Sequence, residues 1–293
     1  MDWQDRMNRA IAWIELHLTE EIEWEDAARE ANCSLFHFLR MFDVITGITA
    51  GDYVRRRRLS LAAMELASGD AKIIDLALRY GYDSPDAFAK AFRKLFDCTP
   101  TEARRPGVRL RSYPPITFSI TLKGAHAMDY RIETKPAFNL TGVPIRTKTT
   151  EGQCMREIPA FWQRSMQDGT FAKLQALVPS GSAIGVAGVS GEADMKNQEF
   201  SYFIAIETPA DRAGLPDGAR DLTVPAATWG VFESHGPIPE AIQGVMQRIY
   251  GEWFPSSGWE HAEAPELEIY SAGDIRDPNY YSEIWMPLQK SPS

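Results

Sequence analysis

The stretch 81-GYDSPDAFAKAFRKLFDCTP-100 predicts a tight turn followed by a capped amphipathic helix. Ser84 is a preferred N-cap residue, and Pro85 stands at the first helical position, where proline is favoured. Three phenylalanines follow at intervals of four residues, which places them on one helix face that faces a core. Because Ile73–Arg79 predicts a short helix before the turn, the region reads as a helix-turn-helix unit.

The same unit is predicted a second time upstream. Trp24–Glu30 predicts a short helix, residues 32–34 a turn, and the stretch from Leu35 to about Ile45 a second helix, with Ser34 as its N-cap. The two N-cap serines lie 50 residues apart, and the predicted helix 50–68 joins the two units. Six side chains of the two second helices are predicted to be core: Phe38, Met41, Phe42, Phe88, Phe92 and Phe96.

Charge is distributed unevenly along the 293 residues, whose formal net charge is −9. Residues 31–112 carry 14 Lys and Arg against 9 Asp and Glu, a balance of +5, whereas residues 113–293 carry 14 against 22. Because salt screens charges beyond roughly 8–10 Å, DNA senses the local face rather than the total. No run is apolar enough to span a membrane, the start does not resemble a signal peptide, and the three cysteines are widely spaced, so we expect a cytoplasmic protein with reduced thiols.

The N-terminal third resembles the AraC/XylS family of transcription regulators. Residues 81–84, followed by the three phenylalanines and Thr99-Pro100, carry the resemblance in the second unit. Residues 34–47 and the stretch from Tyr53 through Arg55–Arg58 carry it in the first, so that it covers about residues 5–106. The resemblance implies an all-helical double helix-turn-helix domain that binds double-stranded DNA, with its two recognition helices in successive major grooves about 34 Å apart.

The resemblance also implies which side chains face the DNA bases: Phe36, Leu39 and Arg40 from the first recognition helix, and Asp86, Ala87 and Lys90 from the second. The guanidinium of Arg40 can pair with a guanine edge through two hydrogen bonds, and Lys90 can reach a base or a phosphate. A basic run such as Arg55–Arg58 is compatible with either phosphate contact or a solvated face. The candidate DNA-contacting residues are Ser34, Phe36, His37, Leu39, Arg40, Arg55, Ser84, Asp86, Ala87, Lys90 and Arg93.

The second half predicts strands mixed with two helices, arranged as a repeat. The pairs Pro136-Ala137 and Pro225-Ala226 lie 89 residues apart, and each begins an extended stretch before a helix. Each helix then precedes two further strand-like runs, so the predicted order is strand-helix-strand-strand, twice. The predicted fold class is therefore α + β, with domains at 1–107 and 128–293 and a linker at 108–127.

Residues 129–288 resemble the GyrI-like effector-binding domain. The matching segments are Arg131-Ile132 through Gly142-Val143, Ala226 through Phe232 with Gly236-Pro237, Glu266–Tyr270, and Glu283–Pro287. The resemblance implies a cleft between the two repeats that accepts a lipophilic, often cationic, small molecule.

The residue types of the last two strands fit a cation site. Alternation places Glu266, Glu268 and Tyr270 on one strand face, and Tyr281, Glu283 and Trp285 on one face of the final strand. A carboxylate beside aromatic rings suits a delocalised cation, and we expect Glu283 first and Glu268 second as its charge partner. The full ligand-binding candidate set is Phe161, Trp162, Tyr202, Trp229, Glu266, Glu268, Tyr270, Tyr281, Glu283 and Trp285.

The sequence contains no motif that indicates a catalytic residue, a metal site or a cofactor. The histidines lack metal-ligand spacing, and residues 188–192 (GVSGE) fall one glycine short of a nucleophile elbow and predict a turn between strands. We therefore expect a ligand-responsive regulator, an activator of stress or multidrug-response genes that works with RNA polymerase, as a monomer or a dimer. Two alternatives remain open for the second half: a hydrolase of a reactive small toxin, and a module that inhibits another protein.

Overall fold

The computed structural model describes residues 3–69, 71–105, 107–118, 127–148, 153–194 and 199–290. The chain divides into two compact units. The first takes Met1–Leu39 and Ile48–Ser119, and the second takes Arg40–Gly47 and Ile120–Ser293. None of the helices among the described residues is long and apolar enough to cross a membrane.

Seven helices account for the regular structure of the N-terminal region in the described residues. They are α1 (Trp3–Leu16), α2 (Trp24–Glu30), α3 (Leu35–Thr46), α4 (Ala50–Ser68), α5 (Ile73–Arg79), α6 (Pro85–Phe96) and α7 (Pro100–Ala103). Both predicted cap serines are confirmed. Ser34 Oγ accepts the backbone N–H of His37 at 3.3 Å, and Ser84 Oγ accepts that of Ala87 at 3.1 Å.

A row of packed phenylalanine rings lies in the core of the second helix-turn-helix unit. Phe88, Phe92 and Phe96 lie on one face of α6, and their side chains pack with the buried face of α4 and with Leu76 and Ala77 of α5. All six predicted core residues of the two recognition helices are buried. The spacing of four residues is therefore sufficient to predict which helix face is internal.

The predicted linker does not begin where the sequence suggested. Residues 108–118 belong to the first unit, because Tyr113 donates its backbone N–H to Ser60 Oγ and Asn8 exchanges two side-chain hydrogen bonds with the backbone of Phe118. Phe118 is buried. Residues 119–126 of the predicted linker lie outside the described residues.

A buried ion pair joins α1 to α4. The guanidinium of Arg57 donates to both carboxylate oxygens of Glu15 at 2.8 and 2.7 Å and to the carbonyl oxygen of Tyr113 at 2.6 Å, and Tyr53 donates to the same glutamate at 2.6 Å. Arg58 donates to the carbonyl oxygen of Leu18. Two arginines of the basic run thus stabilise the first unit.

Replacing Glu15 with Ala is expected to lower the free energy of unfolding by about 3 kcal/mol, because it leaves the buried Arg57 guanidinium without its counter-ion. The matched control is Asp52→Ala, which breaks the exposed pair of Asp52 with Arg55 and is expected to cost less than about 1 kcal/mol. Chemical denaturation of the full chain measures both. Equal losses for the two variants would contradict the internal role of the Arg57 pair.

The second unit is built on one antiparallel sheet. Its elements are β1 (Tyr130–Lys135), β2 (Phe138–Lys148), α8 (Gln153–Gln167), α9 (Thr170–Ala176), β3 (Val186–Asp194), β4 (Glu199–Glu207), β5 (Arg220–Val224), β6 (Ala227–His235), α10 (Glu240–Arg248), a π-helical turn (Ile249–Trp253), α11 (Phe254–Ser257), β7 (Trp259–His261), β8 (Glu266–Tyr270) and β9 (Tyr281–Lys290). The strand order is β1-β6-β9-β8-β3-β4-β2-β5, and β7 pairs with β9.

The sheet order reveals how the two predicted repeats combine. The first repeat has one more strand than the sequence indicated, β1, and the second has two more, β5 and β7. β1 and β5 lie at the two edges of the sheet. β1 pairs with β6 of the second repeat, and β5 pairs with β2 of the first. The repeats therefore exchange their edge strands and meet in the centre, where β3 pairs with β8.

The two faces of this sheet have different roles. One face carries a continuous apolar core that includes Phe203, Trp229, Leu267 and Trp285. The opposite face receives the helices: Trp253 of the π-helical turn packs edge-on against Phe232 of β6, and α8 approaches β4 from the same side. Because neighbouring residues of a strand point to opposite faces, the register determines which polar side chains meet.

Candidate functional site

Strand β8 presents three polar side chains on the helix-covered face of the sheet. Glu266, Glu268 and Tyr270 alternate along the strand, as the sequence predicts. The β3–β8 register places Glu268 directly opposite Gly188. The carboxylate of Glu268 therefore lies at the junction between the two repeats.

One carboxylate oxygen of Glu268 accepts hydrogen bonds from two tyrosine hydroxyls. Tyr202 and Tyr270 donate their hydroxyls to Glu268 Oε2 at 3.0 and 2.9 Å. Trp162 of α8 donates its indole N–H to the Tyr202 oxygen at 2.9 Å, and its ring meets that of Tyr270 edge-on with centroids 5.0 Å apart. Four of the predicted ligand-binding residues are thus brought together in one cluster.

The two tyrosines are fixed as hydrogen-bond donors. Burial, which disfavours the phenolate, and the negative charge of Glu268 raise the pKa of Tyr202 and of Tyr270 well above the usual value of a phenol. Both side chains therefore stay protonated, and they orient the carboxylate without neutralising its charge.

Glu266 is held in the same manner by a different pair. Tyr250 of the π-helical turn donates to Glu266 Oε1 at 2.7 Å, and the Nε2 atom of His261 lies 3.2 Å from the same oxygen. Burial would raise the pKa of this carboxyl, but the hydrogen bond from His261 and the charge of Arg40 outweigh it, and the pKa is lowered. Glu266 is therefore an ionised carboxylate although only 3% of its side chain is exposed.

Arg40, which belongs to the second unit, completes the cluster. Its Nε atom lies 3.5 Å from Glu266 Oε2, and its Nη2 atom lies 3.8 Å from Glu268 Oε1. Each glutamate thus binds its tyrosine donors with one oxygen and turns the other oxygen toward the guanidinium. Glu266 and Glu268 together form the acid pair of this site.

A glycine makes room for this arrangement. A Cβ atom at Gly188 would lie 2.1 Å from the hydroxyl oxygen of Tyr202 and 3.2 Å from Glu268 Oε2. The predicted turn at residues 188–192 is instead part of β3, with a bulge between Gly191 and Asp194. The sequence suggested a turn because glycines are usual in turns, whereas Gly188 serves the close approach of a tyrosine across the sheet.

The first-ranked acid, Glu283, lies elsewhere. β9 pairs with β8 so that Glu283 stands beside Ile269 and Glu268 beside Ile284, which places the two carboxylates on opposite faces of the sheet. Arg131 donates to both oxygens of Glu283 at 2.8 and 3.3 Å. Burial would raise the pKa of Glu283, but the hydrogen bonds from Arg131 and its neighbours lower it.

Other aromatic residues of the predicted ligand site lie on the same side of the sheet as Glu283. Tyr281 and Trp285 donate to its two carboxylate oxygens at 2.6 and 2.7 Å, and Trp285 packs against Trp229 in the apolar core. Phe161 is buried in α8. The predicted single site is therefore two clusters: an acid pair with aromatic donors on one face, and an internally compensated glutamate on the other.

The two recognition helices present their predicted DNA contacts differently. On α6, the predicted contacts Asp86, Ala87, Lys90 and Arg93 are all exposed and share the face opposite the phenylalanines. On α3, His37 and Leu39 are buried, and Phe36 and Arg40 are partly buried. Arg55 is exposed and pairs with Asp52. In this structure the second recognition helix therefore offers the freer surface.

Sequence reasoning missed four participants: Gly188, Tyr250, His261 and Arg131. Tyr250 and His261 lie before β8 in the chain, and only the fold returns them to Glu266. Arg131 lies on an edge strand, 152 residues from its partner Glu283. The alternating Glu-x-Glu-x-Tyr pattern was the signal that found the acid pair, whereas partners distant in sequence leave no local pattern.

Comparisons with known proteins cover both units. The family model described as an integron-associated effector binding protein (Cass2) matches residues 131–288, and a helix-turn-helix domain model matches residues 27–106. The right origin-binding protein of Escherichia coli K12 is 38% identical over 305 residues, which span 99% of this chain and all of that protein. The transcriptional regulator Rob of Salmonella typhimurium is 24% identical over the same 99% of this chain and all of its own length. The regulatory protein SoxS of Escherichia coli K12 is 38% identical over 104 residues, 36% of this chain and 97% of its own length.

Gly188→Ala is expected to destabilise the second unit by about 1–3 kcal/mol, because the new methyl group must displace the Tyr202 ring. The matched control is Gly244→Ala in α10, where an added Cβ meets no atom within 4 Å and alanine is the better helix former. Thermal unfolding compares the two variants. A Gly188→Ala chain as stable as the control would mean that Tyr202 does not occupy this position.

Proposed function

The chain belongs to the AraC-type transcription regulators that carry a Cass2-like, GyrI-like effector-binding domain, and we propose that its second unit binds a lipophilic cation that controls this regulator. The protein is thus a DNA-binding transcription regulator. The identity of the effector, its binding residues and the direction of regulation are our proposals.

The acid pair is the observation that carries the effector proposal. Two carboxylates share one face of β8, and each keeps one oxygen directed away from its tyrosine donors. A buried carboxylate is costly unless it is paired, and the two carboxylates of the acid pair face a single guanidinium at 3.5 and 3.8 Å, so this position favours a positively charged ligand. Glu283 is a poorer charge partner for a cationic ligand, because the guanidinium of Arg131 already binds both of its oxygens.

The surrounding rings favour a cation that is delocalised and apolar. Tyr202, Tyr270 and Trp162 line the carboxylate of Glu268, and Tyr250 lines that of Glu266. Aromatic faces attract cations by roughly 0.5–2 kcal/mol, and they also remove apolar ligand surface from water. A small hydrated ion would gain little from aromatic neighbours. An aromatic phosphonium or ammonium compound gains both the cation–ring attraction and the burial of its apolar surface.

The DNA side of the proposal rests on the exposed face of α6. Lys90 and Arg93 lie on the same face of that helix as Asp86 and Ala87, opposite the buried phenylalanines. We propose that this face enters the major groove, and that the regulator activates its target genes together with RNA polymerase once the effector is bound.

Glu268→Gln is expected to weaken binding of tetraphenylphosphonium about tenfold or more, because the amide keeps the shape but removes the charge. Isothermal titration of the full chain measures the dissociation constant, and neutral triphenylphosphine oxide serves as the uncharged comparison ligand. Glu283→Gln is the matched control on the opposite sheet face and is expected to leave the affinity within about twofold. A loss in Glu283→Gln with none in Glu268→Gln would move the site to the other face.

Lys90→Ala is expected to weaken DNA binding about fivefold or more at fixed salt, with Lys173→Ala on the exposed face of α9 as the control. The DNA is first obtained by genome-wide capture with the purified chain, and affinities are then measured by fluorescence anisotropy across a salt series. An equal loss on all sequences with a shallower salt slope identifies a phosphate contact, and a loss confined to the captured sites identifies base reading. An unchanged affinity would contradict a DNA contact by Lys90.

A further inference from the structure

We propose that Arg40 is the resident cation of the acid pair, and that a cationic effector competes with its guanidinium for the same two carboxylate oxygens. The proposal rests on the proposed effector site and adds a residue that tunes its affinity. In the absence of effector, the chain supplies its own positive charge to the position that the effector takes.

The four carboxylate oxygens of the acid pair have different partners, and these partners point to the position of the cation. Glu268 Oε2 and Glu266 Oε1 are each bound by aromatic side-chain donors, whereas Glu268 Oε1 and Glu266 Oε2 face Arg40. Each carboxylate therefore has hydrogen-bond donors other than the guanidinium. The site is thus organised independently of the cation that occupies it, as a replaceable occupant requires.

The contacts of Arg40 are also longer than those of a tightly bound arginine. Charge-assisted N–H···O bonds in proteins measure about 2.7–2.9 Å, whereas Arg40 approaches its two partners only to 3.5 and 3.8 Å. Arg131, for comparison, reaches Glu283 of β9 at 2.8 Å with a second bond at 3.3 Å. Arg40 therefore contributes its charge to the acid pair through long, weak ion-pair contacts. A ligand cation that replaces it breaks few strong contacts.

Charge matching indicates the class of ligand. The guanidinium of Arg40 supplies one positive charge to two carboxylates, and its side chain is 21% exposed. A monocation that displaces it leaves the charge balance of the acid pair unchanged, while its aromatic groups gain contact with the rings around Glu268. The effector expected at this site is therefore a bulky aromatic monocation.

Arg40 is also the residue that the sequence predicts to pair with a guanine. A guanidinium that neutralises the acid pair cannot at the same time donate to a base edge. An effector that takes its place thus makes the Arg40 side chain available for DNA, which links effector binding to base reading through one side chain.

The test compares the tetraphenylphosphonium affinities of the full chain and of three variants at Arg40 and Arg276 by isothermal titration. Arg40→Gln is expected to bind the cation about tenfold more tightly than the original chain, because the competitor is gone. Arg40→Lys keeps the positive charge and is expected to lie between the two. Arg276→Gln removes the same charge from an exposed position of the same unit and is expected to change nothing.

Three outcomes separate this inference from the proposed function. If Arg40→Gln binds no more tightly than Arg276→Gln while Glu268→Gln still loses affinity, the effector site stands and the competition is overturned. If none of these chains binds the cation, the effector site itself falls, and the competition falls with it. If Arg40→Gln binds tightly and the added substitution Glu268→Gln abolishes the gain, both are supported.

A DNA measurement tests the link to base reading. Saturating tetraphenylphosphonium is expected to raise the affinity of the original chain for its captured sites and to leave that of Arg40→Gln unchanged. A cation effect of equal size in both chains would show that Arg40 does not couple the two activities. Circular dichroism of each variant establishes that the comparisons are made between folded chains.

Discussion

Where the two repeats of the second unit meet, β3 and β8 pair so that Gly188 lies opposite Glu268. The missing side chain leaves room for the Tyr202 hydroxyl, which would otherwise lie 2.1 Å from a Cβ atom. Everything else in the acid pair follows from this register: a slip of one residue would turn both glutamates toward the apolar core and bring Leu267 and Ile269 under the helices. The backbone pairing of two strands thus sets the chemistry of the site.

The sheet compensates the negative charge of its carboxylates in two different ways. Glu283 is neutralised by Arg131, whose guanidinium binds both oxygens, and this cluster is electrostatically complete. In the acid pair, tyrosine hydroxyls bind one oxygen of each glutamate, and the guanidinium of Arg40 faces the other oxygens at 3.5 and 3.8 Å. Burial alone does not mark a ligand site, because Glu266 and Glu283 are both buried. The two groups differ in how closely the compensating guanidinium approaches, which is 2.8 Å for Glu283 and 3.5 and 3.8 Å for the acid pair.

Arginines in the first unit are likewise of two kinds, some bound inside the unit and others exposed. In the basic run of α4, Arg57 is bound to Glu15, and Arg58 to the backbone of Leu18, whereas Arg55 remains on the surface. Charge in the sequence therefore does not equal charge available to DNA. The exposed residues of α6 are a better guide, because the phenylalanine spacing of that helix establishes which face is internal and leaves the opposite face for contact.

The amino-acid sequence by itself determined the two helix-turn-helix units, their capping serines, the buried phenylalanines and the shared face of Glu266, Glu268 and Tyr270. These features depend on local periodicity, which is written in neighbouring residues. Only the tertiary structure decided that Glu283 and Glu268 occupy opposite faces, that Tyr250 and His261 hold Glu266, and that Arg40 faces the acid pair. Those relations depend on strand register and on contacts across as many as 226 residues, and such long-range pairing leaves no local pattern in the chain.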